Sequence, residues 1–244
     1  MTLVAGSVAL AIGGLMGLLG GGGSIVAVPA FTMMLGMSAK DAVVASLMVV
    51  GIAAATGAVS AWLRGVLPLA SAAVVGGSAM IGAAIGGIAG AQLPDHVQFT
   101  ILAMVMLLAA LIMWLSPAGA NHERTSARLP MLGATGIGVG ALTGLVGVGG
   151  GFLMVPALVI AAGFPMTQAA GMSLFVIALS AAAALPGYAA HAHVQWGVVA
   201  PLAATSGMAV IAAGPIAPRL PQRLLQQAFA VFLVILATYL LLRS

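Results

Sequence analysis

The chain has 244 residues, of which 63% are hydrophobic and only 4% are charged. Soluble domains carry about 25% charged residues, so these few charges cannot cover a water-facing surface. A transmembrane helix needs about 20 mainly apolar residues. The composition therefore predicts an integral, all-α polytopic membrane protein with very short loops.

The formal net charge of +4 rests on seven Lys and Arg residues against three acids. The cations are scattered at the ends of apolar segments, which argues against a nucleic-acid partner and favours a role in membrane topology. The chain contains no cysteine, which excludes disulfides, thiol catalysis and thiolate metal sites. We expect no cofactor. Met1 to Gly23 has no Lys or Arg before its apolar run, so we expect mature structure there, not a signal peptide.

The apolar segments fall into two sets of four. They cover residues 3–36, 42–63, 67–91 and 97–116, and then 130–164, 169–190, 194–217 and 224–242. The first segment of each set is too long for one simple span, and a glycine-rich stretch interrupts it. Glycine destabilises a helix interior by roughly 1 kcal/mol relative to alanine, so a break is expected at both places.

The two sets form a repeat with an offset of 127 residues. GLLGGGGSIVAVPA (Gly17 to Ala30) aligns with GLVGVGGGFLMVPA (Gly144 to Ala157), and eight of the fourteen positions are identical. The pattern predicts a first transmembrane repeat at residues 1–116, an inter-repeat loop at 117–129 and a second repeat at 130–244.

Two topologies fit these segments. If each long segment is one broken helix, the chain has eight spans, and four cations face one side against three on the other. If each is a hairpin that enters and leaves by the same face, the division is five against two, which agrees with the positive-inside rule. The hairpin topology gives two inverted repeats, each with a hairpin followed by three transmembrane helices, as in many secondary transporters.

The glycine-rich turns are the candidate binding site. A turn that opens a helix presents backbone N–H groups and the positive end of the helix dipole, which together suit an anion. Two such turns are expected to face one another at the bilayer midplane, with paired serines nearby. The predicted substrate-binding residues are Gly20, Gly21, Gly22, Gly23, Ser24, Ser46, Gly147, Gly149, Gly150, Gly151 and Ser173. Pro29 and Pro156 are predicted to break helices.

Other glycines repeat at a spacing of four residues, and close helix packing explains these without a ligand. They are Gly13, Gly17, Gly21, Gly82, Gly86, Gly90, Gly136, Gly140 and Gly144. Thr56 is a further polar candidate, although a hydroxyl in such a helix commonly bonds to its own backbone.

The positions of the charged residues also favour an anionic substrate. Asp41, Asp95 and Glu123 fall at segment ends or in loops, so a carboxylate-based cation pathway is not expected. Arg64, His191 and His193 are candidate gating residues, because Arg64 corresponds to His191 under the offset of 127. Two histidines without an acidic partner do not predict a metal site.

The two motif copies and the segments that follow them resemble the sulfite exporter TauE/SafE family, also called the toluene sulfonate uptake permease family. The resemblance covers nearly the whole chain. It implies a multi-pass transporter of the cell inner (plasma) membrane for a sulfur-containing anion, such as sulfite, sulfoacetate or an organosulfonate. The turns are not equivalent, because Gly21 corresponds to Val148.

The leading hypothesis is thus a secondary carrier for a small sulfur-containing anion, coupled to a proton or potential gradient. A passive anion channel and a non-transporting membrane scaffold are the alternatives, and a homo-oligomer is left open. An enzyme is not expected, because the sequence offers no buried Ser–His–Asp set, aspartate pair or HExxH motif.

Overall fold

The computed structural model describes residues 2–24, 27, 30–31, 36–37, 39–90, 95–115, 129–146, 151–189 and 196–243. Within these ranges the regular elements are helices, and no strand occurs. The elements before residue 117 are α1 (Thr2–Leu19), α2 (Ala39–Leu63), α3 (Leu69–Gly90) and α4 (Asp95–Leu115). The later elements are α5 (Leu129–Val146), α6 (Gly151–Ile160), α7 (Met166–Ala189), α8 (Trp196–Ala213), a 3-10 turn (Ala217–Arg219) and α9 (Gln222–Arg243).

Membrane-length helices dominate the described part of the chain. Four stretches are long and apolar enough to cross a membrane: Val44–Leu63, Leu69–Gly86, Met166–Ala183 and Trp196–Arg219. Large apolar side chains cover the outside, and Leu63, Ile88 and Leu115 are 75%, 71% and 71% exposed. Such a surface suits lipid and not water. The predicted all-α polytopic membrane fold is confirmed.

Spaced glycines bring α1 and α8 into close contact. A Cβ placed on Gly17 would lie 2.7 Å from the Ala213 Cβ, and one on Gly13 would lie 2.7 Å from the Ala209 Cβ. Residue numbers rise together on the two helices, so α1 and α8 run parallel. The Ser206 hydroxyl, which is fully buried, donates to the Ala9 carbonyl at 3.0 Å and ties the same pair together.

Spaced glycines also bring α3 and α5 into close contact. A Cβ on Gly86 would overlap the Ala141 backbone, and one on Gly140 would lie 2.8 Å from the Ala79 Cα. Gly82 and Gly136 make similar close contacts across this interface. Here the sequence numbers also rise together, so these two helices are parallel as well. The packing role predicted for the spaced glycines is confirmed at these positions.

Helices α2 and α7 cross the centre of the bundle in opposite directions. A Cβ on Gly51 would lie 2.9 Å from the Ala181 Cβ, and one on Gly171 would lie 3.2 Å from the Ala61 Cβ. The start of α7 is therefore level with the end of α2. This arrangement makes α2 and α7 an antiparallel pair.

The chain reverses direction after α1. Gly20 adopts a left-handed conformation with a φ of 84°, and residues 22–24 are again helical. Gly23 has already returned alongside α1, because a Cβ on it would overlap the Ile12 carbonyl and lie 2.6 Å from the Met16 Cγ. Residues 20–24 therefore form a tight turn that reverses the direction of the chain.

Two later turns match each other at the offset of 127 residues. Gly36 and Gly163 both have left-handed backbones, with φ of 65° and 70°. The Met37 N–H donates to the Phe31 carbonyl at 3.3 Å, and the N–H of Phe164 donates to the Leu158 carbonyl at 3.0 Å. Each pair of bonded residues is 127 positions from its counterpart, and each turn leads into the antiparallel α2–α7 pair.

Pro156 does not end a helix. It lies inside α6, which continues to Ile160, so the break expected at this residue is absent. A proline at this position removes the hydrogen bond that its N–H would make with the carbonyl four residues earlier. The helix persists because its side chains are packed on their neighbours, and Val155 and Leu158 are fully buried.

Candidate functional site

The first glycine-rich turn lies inside the protein against α7. Gly20, Gly21, Gly22 and Gly23 are all buried. A Cβ on Gly20 would lie 2.6 Å from the Ala170 Cα, so the backbones touch and only glycine fits at this contact. The left-handed φ of Gly20 gives a second reason for glycine, since other residues rarely adopt it.

This turn lies near one end of the bundle, which differs from the midplane position expected from the sequence. Ala170 is the fifth of the 24 residues of α7. The physical reason is the length of α1, whose 18 residues span about 27 Å, nearly the thickness of a bilayer core. The chain thus covers a length close to that of a bilayer core before it turns.

Several polar groups of the turn are already bonded within it. The N–H groups of Gly20, Gly21 and Ser24 donate to the carbonyls of Met16, Leu19 and Gly21 at 2.8, 3.1 and 3.3 Å. The Ser24 hydroxyl also donates to the Gly21 carbonyl, at 2.8 Å. Gly22 and Gly23 are the first two helical residues after the turn, and N–H groups at such positions have no acceptor within their helix. These two N–H groups are the candidate anion donors.

The two paired serines lie at different levels of the bundle. Ser173 is fully buried and lies one turn along α7 from Ala170, the residue that supports Gly20. Ser46 is also buried, but it is in the first third of α2. In the antiparallel register of α2 and α7, Ser173 is level with about Val59, which places the two serines roughly 20 Å apart along the helices. The structure brings Ser173, and not Ser46, close to the first turn.

A small cavity of about 20 Å³ lies beside the turn. Gly17, Ala61, Arg64, Thr167, Ala170 and Gly214 are among the residues that line it. Ala170 therefore borders both the cavity and the Gly20 contact. Residues from both halves of the chain border this space, at the end of the bundle where α2 and α8 finish and α7 begins.

Arg64, one of the predicted gating residues, crosses from α2 to the end of α8. Its Nη1 donates to the Gly214 carbonyl, and its Nε donates to the Ser60 carbonyl at 3.1 Å. Partial burial lowers the pKa of Arg64, but a guanidinium remains charged at neutral pH because its ordinary pKa is far higher. Both acceptors are neutral carbonyls, so neither neutralises the positive charge.

Three residues at this end were not singled out from the sequence. Thr167 lines the cavity from the first turn of α7. Gly214 makes room for Arg64, since a Cβ there would lie 2.9 Å from the arginine Nη2. Gln168 has a buried Oε1 without a hydrogen-bond partner in the described structure. The repeat offset points to Thr167 and Gln168, because they correspond to the charged residues Lys40 and Asp41.

The other candidate residues either make only a local contact or lie outside the described residues. The Thr56 hydroxyl donates to the Ala53 carbonyl at 2.9 Å, which is the local bond expected of it. Gly151 is the first residue of α6. The predicted residues that lie outside the described part of the chain are Gly147, Gly149, Gly150, Pro29, His191 and His193.

Comparison with known proteins adds independent information. A family model described as "Sulfite exporter TauE/SafE" matches residues 5–240. A "Probable membrane transporter protein" of Xylella fastidiosa strain Temecula1 is 30% identical over 256 aligned residues, which cover 100% of this chain and 98% of the relative. A protein with the same description from strain 9a5c is 31% identical, over 80% of this chain and 78% of its own. A "Probable membrane transporter protein YunE" of Bacillus subtilis strain 168 is 43% identical over 58 residues, which cover 24% of this chain and 21% of the relative.

Proposed function

Since the chain belongs to the sulfite exporter TauE/SafE family, we propose that this membrane transporter is a secondary carrier for a small sulfur-containing anion. Sulfite and organosulfonates are the proposed substrates, and the proposed location is the cell inner membrane. The family description and the names of the relatives support transport as the general activity. The structural features below support an anionic substrate.

The buried turn at Gly20–Gly23 is the observation that best supports an anionic substrate. It places the helical residues 22–24 inside the protein, close to the contact of Gly20 with Ala170, which also borders the cavity at Arg64. The N–H groups of Gly22 and Gly23 and the positive end of a helix dipole stabilise negative charge without a buried cation. A sulfur oxyanion offers several acceptor oxygens for such donors.

We also propose that the two halves are inverted repeats. The matching turns at Gly36 and Gly163 support a duplication, and the opposite directions of α2 and α7 support the inversion. The helix pairs agree with this arrangement. The first helix of each half packs on a helix of the other half, since α1 packs on α8 and α5 packs on α3, the counterpart of α8 under the offset of 127 residues. Inverted repeats allow alternating access, because rocking one half against the other opens the site first to one side and then to the other.

The positive-inside rule assigns the proposed cytoplasmic side. Arg64 contacts Gly214, which is five residues from Arg219, and Arg223 is the second residue of the next helix, α9. These three arginines therefore belong to one end of the bundle. An excess of arginine and lysine marks cytoplasmic loops, so this end, with the cavity, is the proposed cytoplasmic face.

Uptake of radiolabelled sulfite into proteoliposomes tests the proposal. We expect saturable uptake that unlabelled thiosulfate and sulfoacetate inhibit and that chloride and acetate do not. Uptake of tracer driven by an outward gradient of unlabelled sulfite distinguishes a carrier from a passive channel, which gives no such counterflow. If folded protein gives no uptake of any sulfur anion under imposed pH and potential gradients, the proposed substrate class is wrong.

A matched pair of variants at Gly22 tests the turn itself. Alanine and proline both add a Cβ that would lie 3.1 Å from Phe232, but only proline removes the N–H. Proline is well tolerated at the first position of a helix. We expect the KM of Gly22→Pro to rise roughly tenfold, the usual effect of one lost hydrogen bond to a charged group, while Gly22→Ala stays close to the wild-type protein. Equal KM values for the two variants would remove this N–H from the site.

A further inference from the structure

We propose that Arg64 is an anion-binding gate at the end of the bundle where α2 and α8 finish. In the structure its guanidinium is held by a carbonyl of the opposite half, and it lines the small cavity beside the glycine-rich turn. An entering sulfur oxyanion takes the place of that carbonyl. This inference rests on the proposed function, because it gives the anion its binding site on one side of the membrane.

The charge at this position is the first reason. Arg64 bonds to the carbonyls of Ser60 and Gly214, which are neutral acceptors. Among the described residues the acids are Asp41 and Asp95, which lie in the first turns of α2 and α4, whereas Arg64 follows the end of α2. A guanidinium and an oxyanion are both charged and can form two parallel N–H···O bonds, whereas a carbonyl offers one neutral acceptor. An oxyanion therefore competes well with the Gly214 carbonyl for the same N–H donors.

The surroundings of the cavity are the second reason. Thr167 is one of its lining residues and lies in the first turn of α7, a helix of 24 residues whose N-terminal dipole also favours negative charge. The positive guanidinium and this helix end, with the polar residue Thr167, thus meet around one space. The other lining residues are mainly small or apolar, which leaves room for a ligand and adds no competing charge.

The small size of the cavity is the reason to describe Arg64 as a gate, because the cavity is not an open binding site. Its volume of about 20 Å³ suits a single water molecule, and a sulfur oxyanion has three or more oxygens around sulfur. The ligand therefore enters only when the Arg64 side chain leaves Gly214 or the helices separate. Because Arg64 belongs to the first half and Gly214 to the second, the bond between them joins the two halves in this conformation.

Gly214 fixes where the guanidinium rests. A Cβ at this position would lie 2.9 Å from the Arg64 Nη2 and 3.3 Å from its Cζ. Any larger residue pushes the guanidinium away from the carbonyl and leaves its charge unchanged. Gly214→Ala therefore weakens the closed gate without removing the anion-binding group.

Charge exchange at position 64 tests the proposal. The chain has no native cysteine, so Arg64→Cys can be modified in the purified protein before it is reconstituted. We expect the variant to raise the KM for sulfite roughly tenfold, as expected for one lost charged hydrogen bond. Modification with an aminoethyl methanethiosulfonate restores a cation and should recover most of this loss. The sulfonatoethyl reagent is similar in size but negative, and it should give no recovery.

A purely structural role predicts a different result. The two reagents would then act alike, because they differ mainly in charge, and this outcome would overturn the proposal. Arg64→Lys gives a second measurement that needs no modification, and we expect it to retain a lower KM than Arg64→Gln. Equal KM values for these two variants would also count against an anion-binding role.

Two controls separate this proposal from the proposed function. Arg223→Gln removes an exposed cation near the same end and should leave the KM close to the wild-type value. Wild-type protein that transports sulfite, with Arg64→Cys and Arg64→Gln unchanged in KM, would refute the gate and keep the carrier. Wild-type protein that transports no sulfur anion would refute the carrier, and with it the anion that the gate is proposed to bind.

Discussion

Gly20, directly after α1, and Ala170 of α7 touch through their backbones, and a Cβ on Gly20 would come within 2.6 Å of the Ala170 Cα. The contact joins the first glycine-rich turn to a helix of the other half of the chain. It also sets the level of the turn within the bundle, one helical turn from the start of α7.

The first prediction concerns this contact. Gly20→Ala should destabilise the protein by about 3 kcal/mol, because a left-handed alanine costs roughly 1–2 kcal/mol and overpacking adds a further 1–3 kcal/mol. Unfolding of the purified protein in detergent measures this loss. Gly14→Ala is the matched control on α1, since a Cβ there would meet nothing within 4 Å. Equal stability of the two variants would show that the turn does not rest on α7.

A second prediction uses the two matched turns. Gly36 and Gly163 have left-handed φ values of 65° and 70°, and an added Cβ would meet nothing within 4 Å at either position. Alanine should therefore cost only the backbone strain, roughly 1–2 kcal/mol at each site. We expect the two losses in unfolding free energy to agree within about 0.5 kcal/mol and to be additive in the double variant, because the sites are distant. A large difference would weaken the case for equivalent halves.

A third prediction tests helix packing by glycine. In α3, a Cβ on Gly86 would lie 2.8 Å from the Ala141 Cα, whereas one on Gly77 would meet nothing within 4 Å. Gly86→Ala should destabilise the α3–α5 pair by about 1–3 kcal/mol. Gly77→Ala should be neutral or stabilising by up to about 1 kcal/mol, because alanine favours a helix. Thermal unfolding of both variants in the same detergent gives the comparison, and the reverse order would contradict this packing.

The sequence predicts those features that depend on local pattern and composition. Sparse charge and long apolar segments predict the membrane fold, and the spacing of Gly13, Gly17, Gly82 and Gly86 predicts close helix packing. The run of glycines at Gly20–Gly23 predicts a break in the helix. Each of these signals lies within one segment, and therefore it can be recognised without knowing the neighbours of that segment.

The structure was needed for contacts between distant segments. Arg64 and Gly214 are 150 residues apart, so their hydrogen bond leaves no local signal, and the same holds for the contact of Gly20 with Ala170. Ser24 shows a different limit of prediction from sequence. Its hydroxyl suggested a ligand contact, but it donates to the Gly21 carbonyl within the turn. Local bonds of this kind compete with ligands for every serine and threonine in such helices.

The last prediction distinguishes the two topologies directly. Arg64 and Arg219 lie at the same end of the bundle, whereas Trp196 begins α8, which runs for 18 residues toward that end. Single cysteines at these three positions can be labelled from one side of sealed vesicles, because the chain has no native cysteine. We expect a membrane-impermeant maleimide to label Arg64→Cys and Arg219→Cys from the same side, and Trp196→Cys from the other. A chain with two broken helices and eight spans would group position 64 with position 196 instead, and that result would exclude a hairpin in the long apolar segment of the second half.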